Sequence, residues 1–357
     1  MEAYTEQKIY DDLERNNKAK NIVIKDTTAK AYVRNIIKLM KMINATSYLE
    51  LVSNFKDIEF QFHLYREDKD DGKTYPLYSD NTIKNYCNCI VMVSGWDVCD
   101  KPNDVDMNKL NDYYLMVKER INQKQLDNVK TEKQEENWIT TKEFDEVIKK
   151  MRKHIDSSKG STPEDLQDFV IMLLYSGKWI KPLRNDYAGM FFTTEYNADE
   201  LYPKQNFIYV DIIHTLEGDE VVGKIYKFTV CLNDDKVSKH YGSRKYNINK
   251  QSVLTKYLRD LYIHRNESAK ESIYLLVNPQ DNQPMSKNNL TKNLQRITKT
   301  WLNKKVSTSA LRHMYISNLD HNKTSNKKLA EIATDMRHSL PTQQQNYKIV
   351  DKEDTVP

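Results

Sequence analysis

The run V-S-T-S-A-L-R-H-M-Y-I-S, from Val306 to Ser317, sets Ser309, Arg312 and His313 three and four residues apart. On a helix that spacing places them on neighbouring positions of one face. A further histidine, His338, follows about one helix later, and Tyr347 lies nine residues beyond it. These are groups with complementary chemistry. A guanidinium offers fixed, paired donors to an anionic oxygen. An imidazole moves protons near neutrality, and a phenol activated by its surroundings can act as a nucleophile.

Two helical segments must position this set. Leu311, Met314, Tyr315 and Leu319 form an apolar stripe beside the polar face of the first. The second is expected from Ser325 to Met336, with Ser325 as N-cap and Leu329, Ile332, Ala333 and Met336 turned inward. Upstream, Pro163 to Tyr175 is apolar along Phe169, Val170, Met172, Leu173 and Leu174 and closes on Ser176-Gly177, a helix-ending pair. Pro182 then blocks renewed helix, and Arg184 follows it. Residues 206–248 alternate like strands: F-I-Y-V-D-I, K-I-Y-K-F-T-V-C-L and R-K-Y-N-I. A polar hairpin carrying Lys236 and Lys239 joins the last two.

Read together, the motifs resemble the tyrosine recombinases, or phage integrase family. That family carries an H-x-x-R-H helix, a later G-H-S, and a tyrosine nine residues after that histidine. Here the matching residues are S-A-L-R-H (Ser309 to His313), R-H-S (Arg337 to Ser339) and Tyr347. Ser309 stands where the family usually has His, and Arg337 where it usually has Gly. Arg184 matches the first catalytic arginine, which follows the end of a buried helix. The acidic residue usual three positions later is replaced by Tyr187, with Asp186 one position earlier.

The resemblance implies cleavage of a DNA phosphodiester without metal or cofactor. Tyr347 would attack and form a 3′-phosphotyrosyl bond. Arg184 and Arg312 would offset charge on the non-bridging oxygens. Lys236, or else Lys239, would protonate the leaving 5′-oxygen. His338 would bond the phosphoryl oxygen or assist proton movement, and Ser309 would occupy a weakened family position. The family also implies double-stranded DNA as partner and a homo-tetramer on paired sites. A type IB topoisomerase shares this residue set, and a DNA-binding descendant that has lost catalysis is a third reading.

Composition bounds the architecture. The 357 residues are long for one domain and ample for two. Charged residues make up 30% and Gly and Pro are few, which suits a largely helical protein. The expected fold is mainly α: a helical SAM-like core-binding domain, then a mixed α/β catalytic domain with a small antiparallel sheet. Residues 1–25 are expected as an arm or disordered lead-in, 26–122 as the helical clamp, 123–137 as linker and 138–357 as catalytic domain. Within the clamp, helices are expected from Asp26 or Thr27, within Tyr48 to Tyr65, from Ser79 and over Met107 to Ile121, with a charged loop from Arg66 to Tyr78. T-x-x-x-Y at Thr28 to Tyr32 and N-T-I-K-N-Y at Asn81 to Tyr86 are similar to the family's clamp domain. The catalytic domain should open on a helix capped by Thr140 or Thr141, with Glu143 close behind.

Net charge is +4, unevenly spread: residues 138–357 hold 34 Lys and Arg against 27 Asp and Glu, and residues 1–137 hold 21 against 24. The basic second part suits a nucleic-acid partner. No apolar run nears the roughly 18 to 20 residues that span a bilayer, and the opening M-E-A-Y-T-E-Q-K lacks signal-peptide character. Four cysteines without C-x-x-C spacing suit a reduced, intracellular, metal-free protein. The wealth of Asn, Lys, Ile and Tyr suits an AT-rich source such as a mobile element or virus.

Overall fold

The computed structural model describes residues 5–67, 74–157, 162–217, 220–267, 273–321 and 323–349. The chain divides after Asp127 into two compact units, Met1–Asp127 and Asn128–Pro357.

The first unit is a bundle of helices α1 (Glu6–Ala19), α2 (Asp26–Met42), α3 (Tyr48–Ser53), α4 (Phe55–Phe62), α5 (Asp80–Ser94) and α6 (Asp104–Asp127). Its core draws Val33, Ile36 and Leu39 from α2, Leu51 and Val52 from α3, Ile90 and Val93 from α5, and Leu110 and Val117 from α6. The stretch 1–25, expected as an arm or disordered lead-in, carries α1. Thr5 caps this helix, accepting from the Lys8 amide, and Ile9 and Leu13 are fully buried. Two apolar residues four apart are too weak a stripe to read alone; what holds α1 is tertiary. Asp12, buried on the same face, accepts from Tyr48 Oη at 2.8 Å and pairs with Arg15 at 2.8 Å.

The segment read as one helix within Tyr48 to Tyr65 is two, α3 and α4, meeting at Asn54. The charged loop is flanked by a short antiparallel pair, β1 (Tyr65–Glu67) and β2 (Thr74–Pro76). Residues 68–73 of that loop lie outside the described residues. The stretch 123–137, expected as linker, is helical at both ends: α6 runs through Asp127, and α7 (Glu132–Asn137) starts on a capping box between Thr131 and Gln134.

The second unit continues with α8 (Thr141–Asp156), whose capping box joins Thr140 and Glu143, and α9 (Pro163–Tyr175), capped by Thr162 with Pro163 at its first position. Every residue of α9 from Gln167 to Tyr175 is buried, as expected of a helix enclosed on all sides. A 3₁₀ turn at Asn185–Tyr187, β3 (Phe191–Thr193) and α10 (Ala198–Leu201) lead into β4 (Phe207–Glu217) and β5 (Glu220–Leu232). Then come α11 (Ser238–Tyr241), β6 (Arg244–Asn247), α12 (Val253–Glu267), α13 (Lys287–Leu302), α14 (Thr308–Ser317), α15 (Asn326–Asp335) and α16 (Leu340–Thr342). A π-helical turn, Gln343–Tyr347, follows.

The sheet runs β3-β4-β5-β6 and is mixed, which corrects the antiparallel expectation. The strand pairs β4–β5 and β5–β6 are antiparallel, but β3 lies parallel to β4, with Phe191 beside Phe207. Three residues, F-F-T, are too short to show strand alternation. The return through α10 brings the chain back in the same direction, which only a crossover allows. Ile208, Val210, Phe228, Val230 and Leu232 press from the sheet onto α9 and α12, forming one core with Leu290, Leu294 and Ile297 of α13 and Leu311 and Met314 of α14. The connection expected as a plain hairpin between β5 and β6 contains α11.

Candidate active site

Arg312 sits on α14, whose N-cap Ser307 accepts from the Ala310 amide. At 1% exposure it is among the most deeply buried large side chains of the protein. Its position is over-determined: Nη1 donates to Pro182 O at 2.6 Å, and Nη2 to Met336 O at 2.9 Å and to His338 Nδ1 at 3.0 Å. Burial lowers its pKa, which the neighbouring Tyr347 opposes. A guanidinium stays charged nonetheless, so this is a fixed buried cation.

Arg184 arrives from the end of α9. That helix closes through Gly177 at φ +73°, and a Cβ there would run into the ring of Tyr315 on α14. The glycine therefore lets the α9 terminus lie against the helix that carries Arg312. Tyr175 Oη then donates to Arg184 O at 2.7 Å, pinning the backbone, and Arg184 Nη1 donates to Arg337 O at 3.1 Å. Where the sequence departs from the family's acidic residue, Tyr187 is fully buried and stands edge-on to Tyr175, ring centroids 5.5 Å apart. Asp186 is buried beside it, and burial raises its carboxyl pKa.

His338 and Tyr347 complete the group. Their rings stack at 4.7 Å between centroids and 14° between planes, and the Arg312 guanidinium carbon lies 4.9 Å from the Tyr347 centroid. A guanidinium only donates, so His338 Nδ1 must be the bare nitrogen. The proton is therefore on Nε2, facing Gln343 Oε1 at 3.2 Å. Burial, then the charges of Arg312 and Arg184, push the imidazole pKa down to about 4. Burial works to raise the Tyr347 phenol. The charges of Arg312 and Arg184, with the hydrogen bonds they offer, outweigh it and bring the phenol below its ordinary value. The tyrosine backbone is anchored too, since Tyr347 O accepts from Ser317 Oγ at 3.4 Å and lies 3.3 Å from His313 Nδ1.

Four of the six residues given roles from sequence thus come together in the second unit, Arg312 and His338 buried and Arg184 and Tyr347 partly exposed. Ser309 does not join them. It is exposed on α14 and lines a concavity of about 280 Å³ with His313, Trp138 and Lys305. Lys236 is also exposed, in the turn after Asp235, as is the alternative Lys239 on α11.

Three residues were given no role by the sequence. Gln343, fully buried, faces His338, and its Nε2 has no acceptor among the described residues. Arg337 and Asp235 form a buried ion pair, Nε to Oδ2 at 2.5 Å and Nη2 to Oδ1 at 3.1 Å. Arg337 occupies the left-handed position that ends α15: its amide donates to Thr334 O, and the next amide, of His338, to Ala333 O. Glycine is the usual occupant of such a terminus, and a side chain there costs roughly 1–2 kcal/mol. The one visible signal was Arg in place of that glycine.

No family model matches the chain, and no curated protein does. Among solved structures, a crystal structure of XerA recombinase aligns over 97% of this chain and 94% of that chain, at 12% identity and a TM-score of 0.36.

Proposed function

We propose that this protein cuts and rejoins DNA strands through a covalent bond to Tyr347, as a site-specific recombinase. The observation that carries the reading is the Tyr347 phenol, its ring stacked on His338 and 4.9 Å from the buried Arg312 guanidinium carbon, with Arg184 close enough to help lower its pKa. A phenol so placed ionises more readily, and the same two cations suit the negative oxygens of a phosphodiester. In the step proposed, Tyr347 Oη gives up its proton to water and bonds to phosphorus. The bond to the 5′-oxygen breaks, and that oxygen takes a proton from Lys236. The product is a 3′-phosphotyrosyl ester and a free 5′-hydroxyl. Attack by a 5′-hydroxyl from another strand reverses the step and restores Tyr347, so strand joining needs no further energy source.

Ser309 favours a second reading, a DNA-binding relative without catalysis, because it is exposed and makes no hydrogen bond to Tyr347 among the described residues. One assay separates the two. The full chain is incubated with nicked duplexes drawn from candidate recombination sites, so that the short fragment bearing the new 5′-hydroxyl diffuses away after cleavage. A covalent protein–DNA species is expected with wild type and none with Tyr347→Phe, which retains binding. Binding without any adduct would support the second reading.

A further inference from the structure

We infer that Arg337 is a positioning residue that holds the lysine-bearing connection between β5 and β6 against the phosphate-binding arginines. The inference rests on the proposed function for its catalytic consequence, though the clamp itself is a feature of the fold. One guanidinium grips both ends of the connection. Its Nε and Nη2 bond the Asp235 carboxylate, immediately before Lys236, and Nη2 also donates to Gly242 O at 2.6 Å, just after α11. The Asp235 carboxylate is doubly used, since its Oδ1 accepts from the Val237 amide at 3.0 Å and shapes the turn on which Lys236 sits. The backbone carbonyl of Arg337 meanwhile accepts from Arg184 Nη1. A single residue therefore touches the arginine at one side and both ends of the Lys236 and Lys239 segment at the other.

Neighbouring contacts reinforce the same docking. Arg244, at the start of β6, pairs with Asp335 at 2.6 Å, and Tyr246 Oη donates to Asp335 O at 2.7 Å. The connection and the strand after it are thus fastened to the end of α15, the helix that delivers His338.

Local preference argues against an incidental arginine. At φ +61° glycine would close α15 without strain. The side chains of Arg337 and Asp235 are 3% and 1% exposed, and burying an ion pair gains little net stability, whereas it fixes geometry. An acid that must reach a leaving oxygen profits from that fixing. Held in place, Lys236 spends less entropy in reaching its target than a lysine on a loose turn.

The test uses the full chain with Arg337→Gly, which keeps the left-handed turn. The double variant Arg337→Gly with Asp235→Asn avoids a stranded buried carboxylate and keeps an acceptor for the Val237 amide. Amide hydrogen exchange over 235–242, without DNA, is expected to quicken in both variants while exchange in α9 stays unchanged. Unchanged exchange over 235–242 would overturn the clamp whatever the protein's activity. Single-turnover adduct formation is then compared on an ordinary nicked duplex and on one with a 5′-bridging phosphorothiolate, whose leaving group needs no protonation. Loss of about tenfold or more on the first and little on the second is expected, as for Lys236→Ala, with no further loss when the two are combined. Equal slowing on both substrates would show that Arg337 acts through Arg184 or the fold, and would overturn the positioning of Lys236. Absence of any wild-type adduct would instead defeat the proposed function, and the catalytic half of this inference with it, leaving the exchange result to decide the clamp.

Discussion

The imidazole of His338 lies parallel to the ring of Tyr347, 4.7 Å between centroids, while its Nδ1 accepts from Arg312 Nη2. Histidine is thereby kept neutral beside a buried cation, and this has a consequence for stability. Its folded pKa is about 4 against an ordinary 6.5. Between those values the unfolded chain binds more protons, so stability is fully present above about 6.5 and is lost as pH falls toward 4. His313, also lowered first by burial, acts in the same direction. Denaturant unfolding from pH 7 to 4 should show this loss, up to about 3 kcal/mol from His338. In His338→Gln the slope should be clearly shallower, and an identical slope would mean that other groups dominate.

Arg312 sets which nitrogen of His338 carries the proton, and Gln343 supplies its acceptor. With Nε2–H donating to Gln343 Oε1, the bare Nδ1 stays turned to Arg312. Nitrogen NMR of labelled histidine should find the Nε2–H tautomer in wild type. Gln343→Leu should keep that tautomer, which Arg312 imposes, but leave the Nε2 proton without an acceptor and slow adduct formation by up to about tenfold, the worth of one hydrogen bond. Gln343→Glu should raise the His338 pKa and bring a histidine titration into the rate profile near neutrality. A flat profile in that variant would separate Gln343 from His338.

The Gly177 turn is expected to be intolerant of a side chain. Alanine there must adopt φ +73° and also displace the Tyr315 ring. A cost of about 2–4 kcal/mol follows from strain and overpacking together. Chemical denaturation of Gly177→Ala alone and with Tyr315→Ala should show coupling, because removal of the ring relieves the clash and leaves only the backbone term. Strict additivity would argue that the ring is not the obstacle.

Ser309 and Arg312 share a helix and should differ widely in importance. Ser309 is exposed, whereas Arg312 holds three acceptors. Ser309→Ala is expected to change the single-turnover rate by less than about threefold, in keeping with a surface substitution away from special features. Arg312→Ala should abolish adduct formation and also destabilise the fold, since Pro182 O, Met336 O and His338 lose their common donor. Comparable losses for the two variants would give the serine a role of its own. Across pH 6 to 9, Ser309→His should be neutral or faster if a titrating group is what that position lacks.

What could be read from sequence was whatever depends on short range. Thr140 and Ser325 announce helix starts because a cap acts within three residues. The nearly unbroken apolar run of α9 marked a buried helix, and the interval from His338 to Tyr347 drew attention to the right pair. The interval alone did not say that the rings stack. Their stacking depends on a left-handed Arg337 turning the chain and a π-helical turn bringing Tyr347 back over α14.

Tertiary structure alone decided the rest, because those features draw their energy from partners far along the chain. Helix α1 has too few apolar residues to stand by itself and is held through Asp12 and Tyr48, 36 residues apart. Strand β3 exists by pairing with β4 and shows no alternation of its own. Arg337 looked like a mere departure from glycine until Asp235, 102 residues earlier, lay against its side chain. An amino-acid sequence displays spacing along the chain, whereas a buried charge finds its partner through space.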